Sequence, residues 1–515
     1  MVQAVKDIVI VGGGTAGWLV ASVIASRHQG RIRDGALSVT LIESPDIKIV
    51  GVGEATWPTM RNTLKMVGVS ETDFFRSCDT SFKQGAKFVR WVTGREDDAY
   101  YHPLMLPQGF YEVNLVPHWI LDGRGTSYSA AVCPQEWLCE DGLAPKAITT
   151  PEYGALANYA YHFDTGKMGA FLRKHCTERL GVRHLLANVL AANLAESGDI
   201  ESLLTREAGI VPGHLFVDCT GFAALLIGKT LGVEFRDYND VLFCDTALAV
   251  NVPYDIPDAP VPSYTIKTAQ SAGWIWDISL ATRRGIGHTY SSRHIGAEQA
   301  ERELRDYIGG DREDLKIHKI PIRPGYRETF WKNNCVAVGL AAGFFEPLES
   351  SSIVLIELSA KLISEKLPAC REIMDIVAAQ FNDVTHYRYG RILDFLKLHY
   401  ILTRRTDTPF WVDIVDPGSV PDRLKNLLSL WKYQPPWFYD EFDRLEEVFP
   451  AASYQYVLYG MGFETEVDPR DLMDTEPIAA RYRNESAALT RRLRAQLPTN
   501  RELLRKIRDY GMQPV

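Results

Sequence analysis

The segment Gly12-Gly13-Gly14-Thr15-Ala16-Gly17 constrains this chain more than any other. It follows the β-branched run Asp7-Ile8-Val9-Ile10-Val11, which suits a buried parallel strand, and it opens a helical stretch from Trp18 to about His28. A second strand, Ser38-Val39-Thr40-Leu41-Ile42, ends at Glu43. Strand, glycine turn, helix and strand form a βαβ unit with the Gly12-x-Gly14-x-x-Gly17 spacing of dinucleotide binding. The first glycine permits the tight turn, the second lets the backbone approach a pyrophosphate, and the third allows close strand–helix packing. The helix offers its unpaired N–H groups and positive dipole end to the phosphates. Glu43 stands where a carboxylate binds ribose hydroxyls and disfavours a 2′-phosphate. Glycines in an ordinary turn would not need this context.

The motif alone does not choose between NAD and FAD. Two further glycine-ended strands, Asp218-Cys219-Thr220-Gly221 and Val338-Gly339, point to a cofactor touched at distant positions, which suits the longer FAD. No second GxGxxG of comparable context supplies a nicotinamide domain. An FAD protein of this kind takes its electrons from elsewhere.

The formal charge of −9 argues against a nucleic-acid binder, which needs a basic footprint. Eight dispersed cysteines, with no CxxC, read as core residues in a reducing compartment, with no metal site. The apolar stretch Ile8–Ala25 is interrupted by three consecutive glycines, which fits neither a signal peptide nor a bilayer span. A cytoplasmic protein without membrane attachment is expected. A homodimer is the default for a soluble enzyme of this size.

The predicted fold class is α/β: a Rossmann-like GxGxxG module of the flavin-monooxygenase type, with a mainly helical C-terminal part. Residues 90–330 mix short strands with aromatic-rich loops, and the chain reads as mainly helical from about 370. The expected division is an FAD-binding module over 1–370, carrying inserted substrate-facing segments, and a substrate-binding part over 371–515. The two are expected to pack intimately.

Gly12 to Trp18 (GGGTAGW), followed by Gly51-Val52-Gly53-Glu54-Ala55-Thr56, resembles the opening of flavin-dependent tryptophan halogenases. The resemblance recurs in Ser81-Phe82-Lys83-Gln84-Gly85, Tyr101-His102-Pro103, Tyr161-His162-Phe163-Asp164 and Gly273-Trp274-Ile275-Trp276. It continues in Glu346-Pro347-Leu348-Glu349-Ser350 and Leu396-Lys397-Leu398-His399-Tyr400, and loosens over the last hundred residues.

The resemblance implies an enzyme that uses FADH2 from a separate flavin reductase, O2 and chloride or bromide to make hypohalous acid. That oxidant halogenates an indole-type aromatic such as tryptophan. The implied FAD contacts are Gly12, Gly14, Thr15, Ala16, Gly17, Glu43, Gly53, Glu54, Ala55, Val189, Leu340 and Ile353. Lys83 matches the family's essential lysine, as an ammonium that polarises hypohalous acid or an amine that forms a haloamine. Burial among Phe82, Phe88 and Trp91 is expected to lower its pKa. Glu349 matches the glutamate that orients the oxidant and takes the ring proton, although a carboxylate before a helix can also be a cap or an ion-pair partner.

The serines Ser350, Ser351 and Ser352 precede an apolar helix expected to end before Pro368. Halide is expected at the backbone of Ser351 and Ser352, where the family usually has Ser-Thr-Gly. Trp57, Pro58, His102, Trp274, Trp276 and Tyr454 are the implied substrate-side residues. Trp274 and Trp276 match a WxWxIP signature that separates substrate from flavin, with Ser279 in place of proline. At i and i+2 they also suit one packed strand face. Leu104 stands where an aromatic is common, and Tyr454 where tryptophan is common. The competing expectations are an FAD aromatic monooxygenase and a non-catalytic flavin-binding protein.

Overall fold

The computed structural model describes residues 4–47, 53–310, 312, 314–444 and 447–515. Gly51 and Val52 of the second glycine motif lie outside the described residues. The chain forms two compact units. The first comprises residues up to 79, 163–238 and 323–389; the second comprises 80–162, 239–322 and 390–515.

The first unit is built on a six-stranded sheet in the order Trp331–Lys332, Cys335–Ala337, Leu215–Asp218, Asp7–Val11, Ser38–Glu43, Arg183–Leu186. Every pairing is parallel except that of Trp331–Lys332 with its neighbour. The first predicted strand is central, and Ile8 to Val11 are buried. A strand shielded on both faces needs a continuous apolar run, which the sequence has. Helix α1, Thr15–Arg27, follows it; Gly17 to Ala25 are all buried. An apolar surface all round marks a core helix, packed here against α3, Ser351–Glu365. Between them in sequence lies α2, Thr59–Met66, which also packs on α3.

The second unit contains a seven-stranded sheet in the order His318–Pro321, Thr246–Pro253, Arg283–Tyr290, Gly273–Ser279, Thr265–Gln270, Gly85–Val89, Ala99–Pro103. All pairings are antiparallel except Thr265–Gln270 with Gly85–Val89. Directly paired residues share a face. One row across five strands therefore reads Tyr100, Phe88, Lys267, Trp276, Gly287. A Cβ at Gly287 would lie 2.0 Å from the Trp276 ring, so this glycine makes room for the indole. The C-terminal part is helical as predicted, with helices Met374–Ile401, Ala451–Gly460, Glu476–Gln496 and Asn500–Tyr510. Among the described residues no helix is long and apolar enough to cross a membrane.

Candidate functional site

In the first unit the glycine motif behaves as its spacing requires. Gly12 has φ +120°, and a Cβ there would lie 2.2 Å from the Cys219 carbonyl oxygen. A Cβ at Gly17 would lie 1.9 Å from the Gly12 oxygen, so α1 can approach the strand only through glycine. A Cβ at Gly14 would meet nothing within 4 Å. Gly14 is also the N-cap of α1, and no side chain caps it. This is an open cradle with first-turn N–H groups directed at it, and it fits a pyrophosphate.

Glu43 ends its strand as predicted, and its carboxylate accepts from His184 Nε2 at 2.8 Å. A Cβ at Gly13 would lie 2.3 Å from Glu43 Cδ, which gives the second glycine of the triplet a role that the spacing rule omits. Gly339, in the turn Gly339–Ala341 that carries half-buried Leu340, approaches Ala16: its Cβ would lie 2.9 Å from Ala16 Cβ. Gly53, Glu54 and Ala55 form a short strand, and Val189 begins another. The Asp218 carboxylate is engaged in the fold: it accepts from the backbone N–H groups of Thr220 at 3.0 Å, Leu226 at 2.8 Å and Ile227 at 2.9 Å.

Glu349 is 5% exposed and closes the 3-10 turn Pro347–Glu349. The indole N–H of Trp57, which leads through Pro58 into α2, donates to the Glu349 carbonyl at 2.8 Å. Ser350 follows with φ 55° and ψ 37°, a left-handed conformation that costs a non-glycine residue roughly 1 kcal/mol. It occupies the N-cap position of α3, but its side chain makes no capping bond. The preference of serine for caps foresaw the helix start and not this geometry. Ser351 and Ile353 are buried and Ser352 is half-buried.

Within α3, Glu357 is an acid that the sequence reading passed over. It is 0% exposed, and burial pushes its carboxyl up to about 7, against smaller opposing effects of Thr63, Lys361 and Thr59. A lone acid in the apolar run Ile353-Val354-Leu355-Ile356-Glu357-Leu358 was the available signal. The raised value means that the folded chain holds this proton more tightly than the unfolded chain does. The acid therefore costs stability as pH rises from about 4.5 to about 7, and by at most roughly 3 kcal/mol at higher pH. Glu357→Gln should gain in melting temperature relative to wild type at pH 8 and lose that relative gain at pH 4, as followed by thermal denaturation at both.

In the second unit Lys83 is 3% exposed, on the strand Ser81–Lys83, which pairs antiparallel with Ala160, Tyr161 and His162. The burial is as expected. The ammonium over the Phe88 ring is that of a second lysine, Lys267, 1% exposed and 4.4 Å from the centroid. His162 hydrogen-bonds Thr265 Oγ1 through Nε2 at 2.8 Å and faces the Ser81 hydroxyl through Nδ1 at 3.5 Å. Burial first, and then the Lys83 and Lys267 charges, hold its pKa well below the usual histidine value, so it is a neutral imidazole. His162 belongs to the family-like segment Tyr161–Asp164, and Lys267 lies outside every segment that carries the resemblance. Its position on the same face as the tryptophans depends on strand register, which no local pattern reveals.

Trp274 and Trp276 are both buried on one face of their strand, with ring centroids 6.2 Å apart. His102 lies two residues beyond Tyr100 and so on the same sheet face. His102 Nε2 and the Ser453 hydroxyl are 2.9 Å apart, and both His102 and Tyr454 pack against Phe395, at 5.7 and 5.0 Å between centroids. Beyond His102 a pocket of about 430 Å³ is lined by Leu104, Met105, Pro107, Phe110, Tyr111 and Asn158, among others. Its wall joins the Lys83 segment, because the Leu104 N–H donates to the Gln84 carbonyl at 3.2 Å. Among the described residues no group of three or more His, Cys, Asp or Glu could hold a metal ion.

Residues 7–475 match the family described as tryptophan halogenase, and the chain belongs to it. The tryptophan 6-halogenase SttH of Streptomyces toxytricini is 34% identical over 476 residues, which is 88% of this chain and 89% of SttH. A tryptophan halogenase from Shewanella frigidimarina NCIMB 400 has a crystal structure similar at a TM-score of 0.97, with 43% identity and 99% of each chain covered. BrvH, a flavin-dependent halogenase from Brevundimonas sp. BAL3, is similar at a TM-score of 0.86, with 33% identity over 98% of this chain and 99% of BrvH.

Proposed function

We propose that this chain is an FADH2-dependent halogenase that chlorinates or brominates an indole-type aromatic such as tryptophan. The observation that carries the reading is a buried lysine and a buried glutamate at the two family positions, in a chain that also holds an open dinucleotide cradle. The residues fit FAD: α1 would face the pyrophosphate from Gly14, Thr15 and Ala16, and Glu43 the ribose. Gly53, Glu54, Ala55, Val189, Leu340 and Ile353 would complete the contacts. Bound FADH2 supplies the two electrons by which O2 and halide become hypohalous acid. The net reaction consumes ArH, X⁻, H⁺, FADH2 and O2, and yields ArX, FAD and two waters.

The protein's task is to hold and aim that oxidant. Lys83, buried and close enough to His162 to act on its charge, polarises hypohalous acid through its ammonium or carries the halogen as a haloamine. A neutral His162 adds no further positive charge beside it. The Glu349 carboxylate takes the proton from the substituted ring carbon, and the first-turn N–H groups at Ser351 and Ser352 hold halide. Trp274 and Trp276, buried side by side on one strand face, take the family's role of favouring halogenation over direct oxygen transfer. Trp57, Pro58, His102 and Tyr454 contact the substrate.

FADH2 comes from a separate flavin reductase, a reading supported by the single dinucleotide fingerprint in the sequence. Work in the cytoplasm is supported by cysteines that are free and, apart from half-buried Cys370, buried. An omission series tests the reading. Product from an indole panel should require FAD, O2 and bromide or chloride together, and product formed without halide would oppose it.

Removing the Glu43 carboxylate should weaken FAD binding about 10- to 100-fold, the loss expected for a hydrogen bond to a charged group. The check is flavin fluorescence titration of Glu43→Gln, in which unchanged affinity would remove Glu43 from the cofactor site.

A further inference from the structure

Glu357 has no part in the reaction assigned above, yet it is 0% exposed in the helix that follows Glu349 and Ser350. Both of its oxygens are used. Thr59 Oγ1 donates to Oε2 at 3.2 Å, and Thr63 Oγ1 donates to Oε1. Thr59 and Thr63 lie one turn apart on α2, so a single carboxyl group grips the α2 face at two points. Lys361, one turn further along α3, lies 3.9 Å away.

A second tie joins the residues that lead into α2 to the turn that precedes α3. Trp57, two residues before Thr59, holds the Glu349 carbonyl through its indole N–H at 2.8 Å. One tie would leave α2 free to pivot, whereas two fix its placement along α3. What they fix matters, because Glu349 runs directly into the left-handed Ser350, a conformation that persists only where the surroundings hold it. An apolar side chain of similar size at position 357 would serve packing as well or better, since a buried carboxylate is costly. A carboxyl group at this position therefore needs a reason other than stability.

We infer that Glu357 is a positioning residue for Glu349: by clamping Thr59 and Thr63 it sets α2 so that Trp57 holds the Glu349–Ser350 turn in its working geometry. The inference rests on the proposed role of Glu349 in halogenation. It assigns Glu357 no contact with substrate, halide or cofactor. Either protonation state can bridge two hydroxyls, as can a carboxamide, so Glu357→Gln preserves the clamp. Glu357→Leu fills the space and removes it. The double variant Thr59→Val with Thr63→Val removes the partners and leaves the acid in place.

The test is steady-state bromination by the full-length chain with FAD, a flavin reductase and an accepted indole, alongside melting temperature and flavin titration. Glu357→Leu is expected to fold, to bind FAD within twofold of wild type and to lose about tenfold in kcat, with KM for the indole unchanged. A small displacement of a catalytic group suffices for that. Glu357→Gln should retain kcat within about twofold, and the double threonine variant should reproduce the leucine loss, which keeps the test intact if Glu357→Leu fails to fold. Wild-type kcat in the leucine or double variant, or equal losses in leucine and glutamine variants, would overturn the inference while halogenation itself stands. A wild-type enzyme that makes no halogenated product would instead overturn the reading on which it rests.

Discussion

Lys83→Ala is expected to lower halogenation by about 10³-fold or more while FAD binding stays within twofold of wild type. Loss of one donor aimed at a reacting group costs about 10²- to 10³-fold, and loss of proton-transfer assistance a similar factor. Lys83 is such a donor as an ammonium, and as an amine it carries the halogen itself, so its loss is expected to exceed the effect of a single donor. Its 3% exposure leaves little room for water to substitute. Lys83 is not among the residues assigned to FAD, so the cofactor titration should be blind to the change. Lys83→Arg should be nearly as damaging: a guanidinium is always charged and planar, and at neutral pH it cannot supply the neutral amine that takes up halogen as a haloamine. Lys83→Met, similar in length and without charge, separates lost chemistry from lost packing. If product forms at wild-type rate in all three, the oxidant does not pass through this residue.

The second large effect concerns the cradle. Gly17→Ala would put a Cβ 1.9 Å from the Gly12 carbonyl oxygen and 3.1 Å from its carbon. Both are backbone atoms in the central turn, with no flexible side chain to give way. Helix α1 would have to leave the sheet, at a cost above about 4 kcal/mol. The variant should fail to accumulate as folded protein or melt far below wild type, with no measurable flavin binding. Gly14→Ala makes the contrast. Its backbone, φ −75°, suits any residue, and the added Cβ meets no protein atom within 4 Å. It should therefore melt within a few degrees of wild type yet bind FAD at least tenfold more weakly, because the methyl would take the ground that the proposed placement gives to the pyrophosphate. Calorimetry and flavin titration on the two variants check the pair, and normal FAD affinity in Gly14→Ala would show that the cofactor does not lie over this turn.

Much of the candidate site was legible in the sequence because the elements that carry it are written in short spacings. The βαβ unit, the acid at the end of its second strand and the apolar helix after three serines are local patterns, and the structure has each of them. His102 and Tyr454, far apart in sequence, meet around Phe395. Other parts depend on contacts that no window of sequence contains. Lys267 joins the row of Phe88 and Trp276 through the registers of two strand pairs. Burial of a lysine there runs against the expectation for a charged side chain in an alternating strand. Ser350 adopts a conformation usually left to glycine or asparagine, so its role as a turn was hidden by its reputation as a cap. Asp218 looked like part of a cofactor-facing strand end, and the structure engages its carboxylate with three backbone N–H groups. Glu357 could have been read from its apolar neighbours, because an acid in such a run is either exposed by a helix turn or deliberately held.

The central claim is that the chain transfers halogen, not oxygen, to an aromatic ring. Mass spectrometry of the product formed from an indole under isotopically labelled O2, with FAD, a flavin reductase, NADH and bromide, tests it most directly. The account predicts a product with the bromine isotope doublet and no labelled oxygen, absent from the Lys83→Ala reaction. A product that carries labelled oxygen and no bromine would contradict it and identify the chain as a monooxygenase.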